Sequence, residues 1–310
     1  MSQIGKFDFE QSLRNYRPMS IYDAGFVGSL ISTYTILEST RGVFAGGTGG
    51  TTTIDYITIA TTGNATNFGT IGATNGATNG VSSNTRGVFC GTDSGDTTKM
   101  DYITIASTGN STDFGDLTVA RGFAGGVTSK VRGVIAGGET TNVIDYITIA
   151  TTGNATDFGD LNVTPNGDAG VSSFVRGVFA MGDGSLNFMD YITIATTGNA
   201  TDFGDLTVGR GRGAGVSDTS RGCFGGGYAG GAVNVIDYIT IASTGNATDF
   251  GDLTVSRESK AGVSNYSRGC FASGVGSNVI DYITIASTGN ATDFGDLTNT
   301  RRDTGGVDGV

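Results

Sequence analysis

The chain has 310 residues, of which 54 are Gly and only 2 are Pro; it contains no His or Trp, and its formal charge is −11. An acidic chain lacks the basic surface that phosphate contacts need, so we expect no nucleic-acid binding. Collagen would need Pro beside its Gly, and the sequence has no apolar run of 20 residues that could form a transmembrane helix.

Residues 1–40 come first and differ in kind from the rest of the chain. Large apolar side chains lie there among mixed charges, namely Phe7, Phe9, Leu13, Tyr16, Tyr22 and Phe26. Pro18 interrupts any long helix in this segment. We interpret residues 1–40 as a docking arm that packs on another protein or on a second copy of the chain. The alternative is a plug across a face of the chain's own folded body.

A six-residue segment, Asp-Tyr-Ile-Thr-Ile-Ala, then recurs at a spacing of 44–47 residues. Its copies begin at Asp55, Asp101, Asp145, Asp190, Asp237 and Asp281. A fixed period of this size predicts an array of supersecondary units. We therefore divide the chain into the arm, residues 1–40, and a region of six repeats, residues 41–310.

Each repeat contains four segments that are typical of β-strands, here named a to d. In the third copy they are Phe123–Ser129, Arg132–Gly138, Val143–Ala150 and a segment near Ala155–Val163. Strand c carries large apolar groups on both faces, because Ile144 and Tyr146 alternate with Ile147 and Ile149. A sheet of this kind must be covered on both sides. The sequence therefore predicts an all-β fold, a six-bladed β-propeller with four antiparallel strands in each blade.

Several recurring residues resemble the repeat of the Kelch family. Strand b ends in a glycine pair in three copies, Gly46-Gly47, Gly137-Gly138 and Gly226-Gly227. Strand c carries a tyrosine, as at Tyr146, and an arginine follows strand d in four copies. The chain departs from the family pattern in two ways. Phe158 and its equivalents stand where Kelch repeats have tryptophan, and one glycine of the pair is replaced at Thr92, Met181 and Ser273.

The phase of the repeat indicates how the ring closes. The first copy begins at strand b, with Arg41, whereas residues 301–307 at the other end of the sequence match strand a. We predict that this C-terminal strand joins the first blade and closes the ring. The alternative is that Tyr34–Leu37 supplies the missing strand.

The residues that most enzymes use are poorly represented. The chain lacks His, and it has no Gly-x-Ser-x-Gly segment and no P-loop. We therefore expect no catalytic residue, no metal and no cofactor. The repeated Asp113 and Asp116 are possible Ca²⁺ ligands, although capping of a turn by Asp explains them more simply. Cys90, Cys223 and Cys270 replace small apolar residues of strand b, which predicts buried thiols.

Variation between the copies is concentrated in the b–c and d–a loops. Strands alternate in direction, so these loops should emerge on one face of the disc. Recognition is usually placed on such loops, and the alternative is relaxed drift of exposed sequence. The cations expected on this face are Arg121, Arg210, Arg212, Arg257, Lys260, Arg301 and Arg302. They predict an anionic partner, such as a carboxylated or phosphorylated glycan. The alternative is salt bridging to the nearby acids Asp116, Asp205, Asp252 and Asp296.

Near-identical Tyr-Ile-Thr-Ile repeats behind an unrelated N-terminal segment resemble Kelch-like virion structural proteins of bacteriophages, especially marine phages. The resemblance implies a non-enzymatic capsid, neck, tail or fibre component, assembled in the host cytoplasm and located in the virion. Residues 1–40 would bind other virion proteins, and the propeller would be displayed for contact with the host. Two alternatives stay open: a cytoplasmic Kelch-like scaffold for protein–protein interaction, and a carbohydrate-active enzyme.

Overall fold

The computed structural model describes residues 41–47, 51–72, 79–91, 97–138, 141–164, 167, 169–180, 182, 186–258 and 261–309. The predicted docking arm, with Phe7, Phe9, Leu13, Tyr16, Tyr22 and Phe26, lies outside the described residues, as does Lys260. In the part of the chain that is described, no helix has the length and hydropathy needed to cross a bilayer.

The described residues form 24 strands. The first twelve are β1 (Arg41–Ala45), β2 (Thr53–Thr58), β3 (Thr66–Thr70), β4 (Asn79–Ser82), β5 (Arg86–Cys90), β6 (Thr97–Thr104), β7 (Thr112–Arg121), β8 (Gly125–Thr128), β9 (Arg132–Ala136), β10 (Val143–Thr148), β11 (Thr156–Asp160) and β12 (Ala169–Ser172). The other twelve are β13 (Arg176–Ala180), β14 (Phe188–Thr193), β15 (Thr201–Asp205), β16 (Ala214–Ser217), β17 (Arg221–Gly225), β18 (Val235–Thr240), β19 (Thr248–Asp252), β20 (Ala261–Ser264), β21 (Arg268–Gly274), β22 (Ser277–Thr284), β23 (Thr292–Asp296) and β24 (Gly305–Asp308).

These strands build six four-stranded antiparallel sheets, the blades of a propeller. Blade 1 has the order β24-β1-β2-β3, and blades 2 to 6 each take four consecutive strands, from β4–β7 to β20–β23. The predicted six-bladed fold is confirmed. The predicted closure is confirmed too, because β24 pairs with β1 from Gly42↔Asp308 to Ala45↔Gly305. The ring is thus fastened by strands from distant parts of the sequence.

The apolar core lies between the blades. Strand c of blade 3 contributes to two different clusters: Ile144 and Tyr146 pack toward blade 4, whereas Ile147 and Ile149 pack toward blade 2. Each blade also holds its strand c tyrosine edge-to-face against the strand d phenylalanine that replaces tryptophan, as for Tyr146 and Phe158 at 6.1 Å. Each sheet is therefore covered on both sides by its neighbours, as the alternation in strand c predicts.

The segment Thr-Asp-Phe-Gly-Asp is a strand with a β-bulge, and the interpretation of its Asp as a turn cap is wrong. In blade 3, Ile144 pairs with Gly159 and Asp145 pairs with Asp157, so Phe158 is the extra residue. Gly159 has φ 147°, and a Cβ there would lie 2.5 Å from the carbonyl carbon of Gly198 in the next blade. The bulge brings strand d close to the next blade, which only glycine allows.

The two faces of the disc differ in their connections. The turn face carries the a–b and c–d turns, which are bonded to each other, for example from Ile149 N to Val131 O. The loop face carries the b–c and d–a loops, for example Tyr228 N donating to Gly211 O. Arg41, the first described residue, begins β1 at the turn face.

Candidate functional site: the loop face and the axial channel

Four of the predicted surface arginines are buried at the joints between blades. Arg121, Arg210, Arg257 and Arg301 are between 0% and 3% exposed. Each forms an ion pair with the strand c aspartate of the following blade, in the pairs Arg121–Asp145, Arg210–Asp237, Arg257–Asp281 and Arg301–Asp55. Salt bridging, the alternative to ligand binding, is thus present. Its acids are nevertheless not Asp116, Asp205, Asp252 and Asp296.

Each joint of this kind adds further hydrogen bonds to the ion pair. Thr118 donates to Asp145 from its backbone nitrogen at 3.1 Å and from its hydroxyl at 2.6 Å, while Arg121 also donates to Val143 O at 2.8 Å. Burial lowers the pKa of Arg257 and Arg301, and the paired aspartates oppose that shift. Breaking a buried pair of this type by removing one partner costs about 3–5 kcal/mol. These arginines hold blades together and do not face a ligand.

Two of the predicted arginines do reach the loop face. Arg212 forms an ion pair with Glu258 at 3.2 Å, and its guanidinium carbon lies 5.4 Å from the centroid of the Phe123 ring. Its side chain is 34% exposed, and that of Arg302, which pairs with Asp303 at 3.4 Å, is 46% exposed. Of the six predicted cations that the structure describes, two therefore have side chains exposed on the loop face.

The loop face also exposes apolar side chains. Among the described residues, nine large hydrophobic side chains are exposed. Six of them belong to the b–c and d–a loops or to strand ends next to those loops: Val119, Phe188, Val208, Tyr228, Val255 and Val275. The sequence reasoning missed this set, although the irregular loops in which most of them lie were singled out. Irregular loops on a rigid scaffold are a usual place for recognition.

The six strands at position a line an axial channel, with a cavity of about 130 Å³. Hydroxyl groups on neighbouring strands close a ring of hydrogen bonds around it. Thr128 donates to Ser82 O at 2.7 Å, Ser172 to Thr128 O at 3.1 Å, Ser217 to Ser172 O and Ser264 to Ser217 O, both at 3.0 Å. The sixth position is Asp308, whose carboxylate accepts from Ser264 N at 2.7 Å.

Three side chains from a–b turns span the turn-face end of the channel. The Lys130 ammonium lies 5.0 Å from the centroid of the Tyr266 ring and 5.7 Å from that of Phe174. Burial raises the pKa of Asp308 to about 6, although the Ser264 N–H and the Lys130 charge both oppose this shift. Burial also lowers the pKa of Lys130 to about 8. The middle residue of these turns differs from copy to copy, a signal that comparison of the repeats could have found.

The arginines that open strand b lie on the turn face and are engaged there. Arg132 stacks on Tyr146 of its own blade at 4.3 Å and donates to Ile194 O of the next blade at 2.9 Å. The same two contacts recur for Arg176, with Tyr191 and Ile241 O. These side chains, too, join neighbouring blades.

The last groups to consider are metal-ligating side chains and cysteine thiols. Within the described ranges, no group of three or more His, Cys, Asp or Glu side chains is placed to hold a metal ion. Cys90, Cys223 and Cys270 are buried free thiols, as predicted. Burial raises the pKa of Cys90 and of Cys223 to about 12, so neither is a reactive thiolate at neutral pH.

Comparison with known proteins adds no family. No protein-family model matches the chain, and no curated protein matches it with significance.

Proposed function

We propose that this chain is a non-enzymatic binding propeller that presents its loop face to a protein partner. The observation that carries the proposal is the coincidence, on one face, of the irregular loops with six of the nine exposed large hydrophobic side chains of the described residues. Apolar groups of this kind contribute to affinity when a partner removes them from water. The loops between the strands differ from blade to blade, which suits recognition of an asymmetric partner.

The same contacts argue against catalysis by the repeated residues. The strand c aspartates and the arginines that follow strand d are buried in ion pairs at four joints. The asparagine of each c–d turn accepts from the backbone of the preceding blade, as Asn199 does from Asp160 N at 3.1 Å. Polar groups that a repeat fold uses to join its units are not available to a substrate.

For the biological setting we propose a bacteriophage virion, with the chain as a Kelch-like structural component of the capsid, neck, tail or fibre. The support is the resemblance of the repeats to those of such virion proteins. Residues 1–40 would bind other virion proteins, and the propeller would be displayed for contact with the host surface. No enzymatic step is needed for this role.

Mass spectrometry of purified particles tests the setting. We expect the full chain in the particles, and we expect the chain without residues 1–40 to fold but to be missing from them. Absence of the full chain from particles would favour the cytoplasmic scaffold, and incorporation of the shortened chain would contradict the docking arm.

The loop face is tested by replacing exposed apolar residues. In particles that carry Tyr228→Ser and Val275→Ser, we expect adsorption to host cells to fall at least about tenfold. Each substitution removes an apolar group that the proposed partner would cover. The matched control is Val131→Ser with Val175→Ser, which removes exposed apolar groups from the turn face. Equal adsorption by the two double variants would contradict the proposal.

A further inference from the structure

The joint between blades 3 and 4 is built differently from the four that hold a buried arginine. In those joints a guanidinium donates to the strand c aspartate and to a carbonyl of strand b, for example Arg210 to Phe224 O at 3.1 Å. Between blades 3 and 4, the sequence position of the arginine is taken by Pro165. The aspartate of this joint is Asp190, on β14.

Asp190 is a buried carboxylate with amide partners. It is 2% exposed, and it accepts from Asn162 twice, from the backbone nitrogen at 2.9 Å and from the side-chain nitrogen at 2.7 Å. Within the described ranges, no Lys or Arg forms an ion pair with it. A buried charge with neutral donors alone gains strongly from a cation.

A cavity of about 380 Å³ opens beside this carboxylate, lined by Asn162, Val163, Phe188 and Asp190 and by Ala200, Thr201 and Asp202. Phe188 is 39% exposed. The equivalent residues in the other blades are Thr53, Lys99, Val143, Val235 and Val279. Asp202, which pairs with Asp190 across the sheet, is exposed at the rim. An aromatic face next to two carboxylates matches the planar, positively charged guanidinium group.

We propose that this pocket binds the arginine side chain of a protein partner. The proposal rests on the loop-face function above and names the chemistry of the partner: a basic segment, in place of the anionic glycan that the sequence predicts. The guanidinium donates to Asp190, as the chain's own arginines do at four other joints. Its plane lies on Phe188, and Asp202 adds attraction at the rim. The negative charge of the whole chain favours such a partner.

The test measures binding of Nα-acetyl-L-arginine amide to the full chain by NMR titration. We expect millimolar binding, at least about tenfold tighter than that of the citrulline analogue, which has the same shape without the charge. Asp190→Asn should abolish binding. Phe188→Val, which installs the residue of three other blades, should weaken it several-fold.

Pro165→Arg supplies the side chain within the chain itself. We expect this variant to lose binding of the arginine probe and to unfold at a higher temperature than the wild type. The control is Asp202→Asn, which should weaken binding only slightly because this carboxylate is exposed. Equal binding of arginine and citrulline probes, or undiminished binding by folded Asp190→Asn or Pro165→Arg, would overturn the proposal. Such a result would leave the adsorption test of the loop face unaffected.

Discussion

At the scale of single residues, the repeated polar side chains join blades to one another. Arg121, at the end of β7, forms its ion pair with Asp145 of the next blade. The sequence could predict that these arginines meet acids, but not which ones, since the choice depends on the packing of neighbouring blades. The same holds for the axial ring of hydroxyls, where Asp308 takes the sixth place.

Asp308 makes the stability of the ring depend on pH. Its pKa is raised in the folded state from 3.8 to about 6, so folding favours the protonated form. Its contribution to stability is complete below pH 4 and is lost as the pH rises through 6. The carboxyl accepts from Ser264 N, and its charge acts on Lys130, Tyr266 and Cys270.

We therefore expect Asp308→Ser, which installs the residue of four other blades, to raise the melting temperature at pH 7.5 by about 3 °C. The difference from the wild type should shrink as the pH falls to 4.5. Thermal unfolding followed by circular dichroism at both pH values measures this. As a control, Asp218→Ser replaces another turn-face aspartate by the residue of three other copies. A difference from wild type that is the same at pH 4.5 and 7.5 would argue against a titrating Asp308.

At the scale of strands, close approach between neighbouring blades decides where glycine must stand. A Cβ at Gly177 of β13 would lie 2.5 Å from a methyl group of Val127 and 3.0 Å from its Cβ, in the innermost strand of the preceding blade. The boundaries of strands b and c could be predicted closely from β-branched and aromatic residues. The bulge at Phe158 could not, because nothing in its local sequence shows that Gly159 touches the next blade.

Gly177→Ala should accordingly lower the free energy of unfolding by about 2 kcal/mol, since the added methyl overpacks a buried joint. Gly231→Ala is the matched control, because a Cβ at Gly231 has no atom within 4 Å. Urea denaturation of both variants beside the wild type gives the comparison. Equal midpoints for the two variants would contradict the packing described here.

At the scale of the whole molecule, the six copies of the repeat predict a closed ring. The first copy begins at strand b and the chain ends with a segment that matches strand a, which predicts the closing strand. The candidate site is less accessible to sequence reasoning. Asp190 is followed by the same Tyr-Ile-Thr-Ile segment as the other strand c aspartates, and only the fold places it beside Asn162 and Phe188.

The central claim is that six blades form one ring, which the pairing of β24 with β1 closes. The loop face and the turn face described above depend on this closure. Thermal unfolding of a chain that ends at Thr304 tests this most directly, with a chain that lacks only Val310 as the control. The shortened chain loses the β1–β24 pairing and the buried Val307. We predict a melting temperature lower by about 10 °C or more. A melting temperature within about 1 °C of the control would contradict the closed ring.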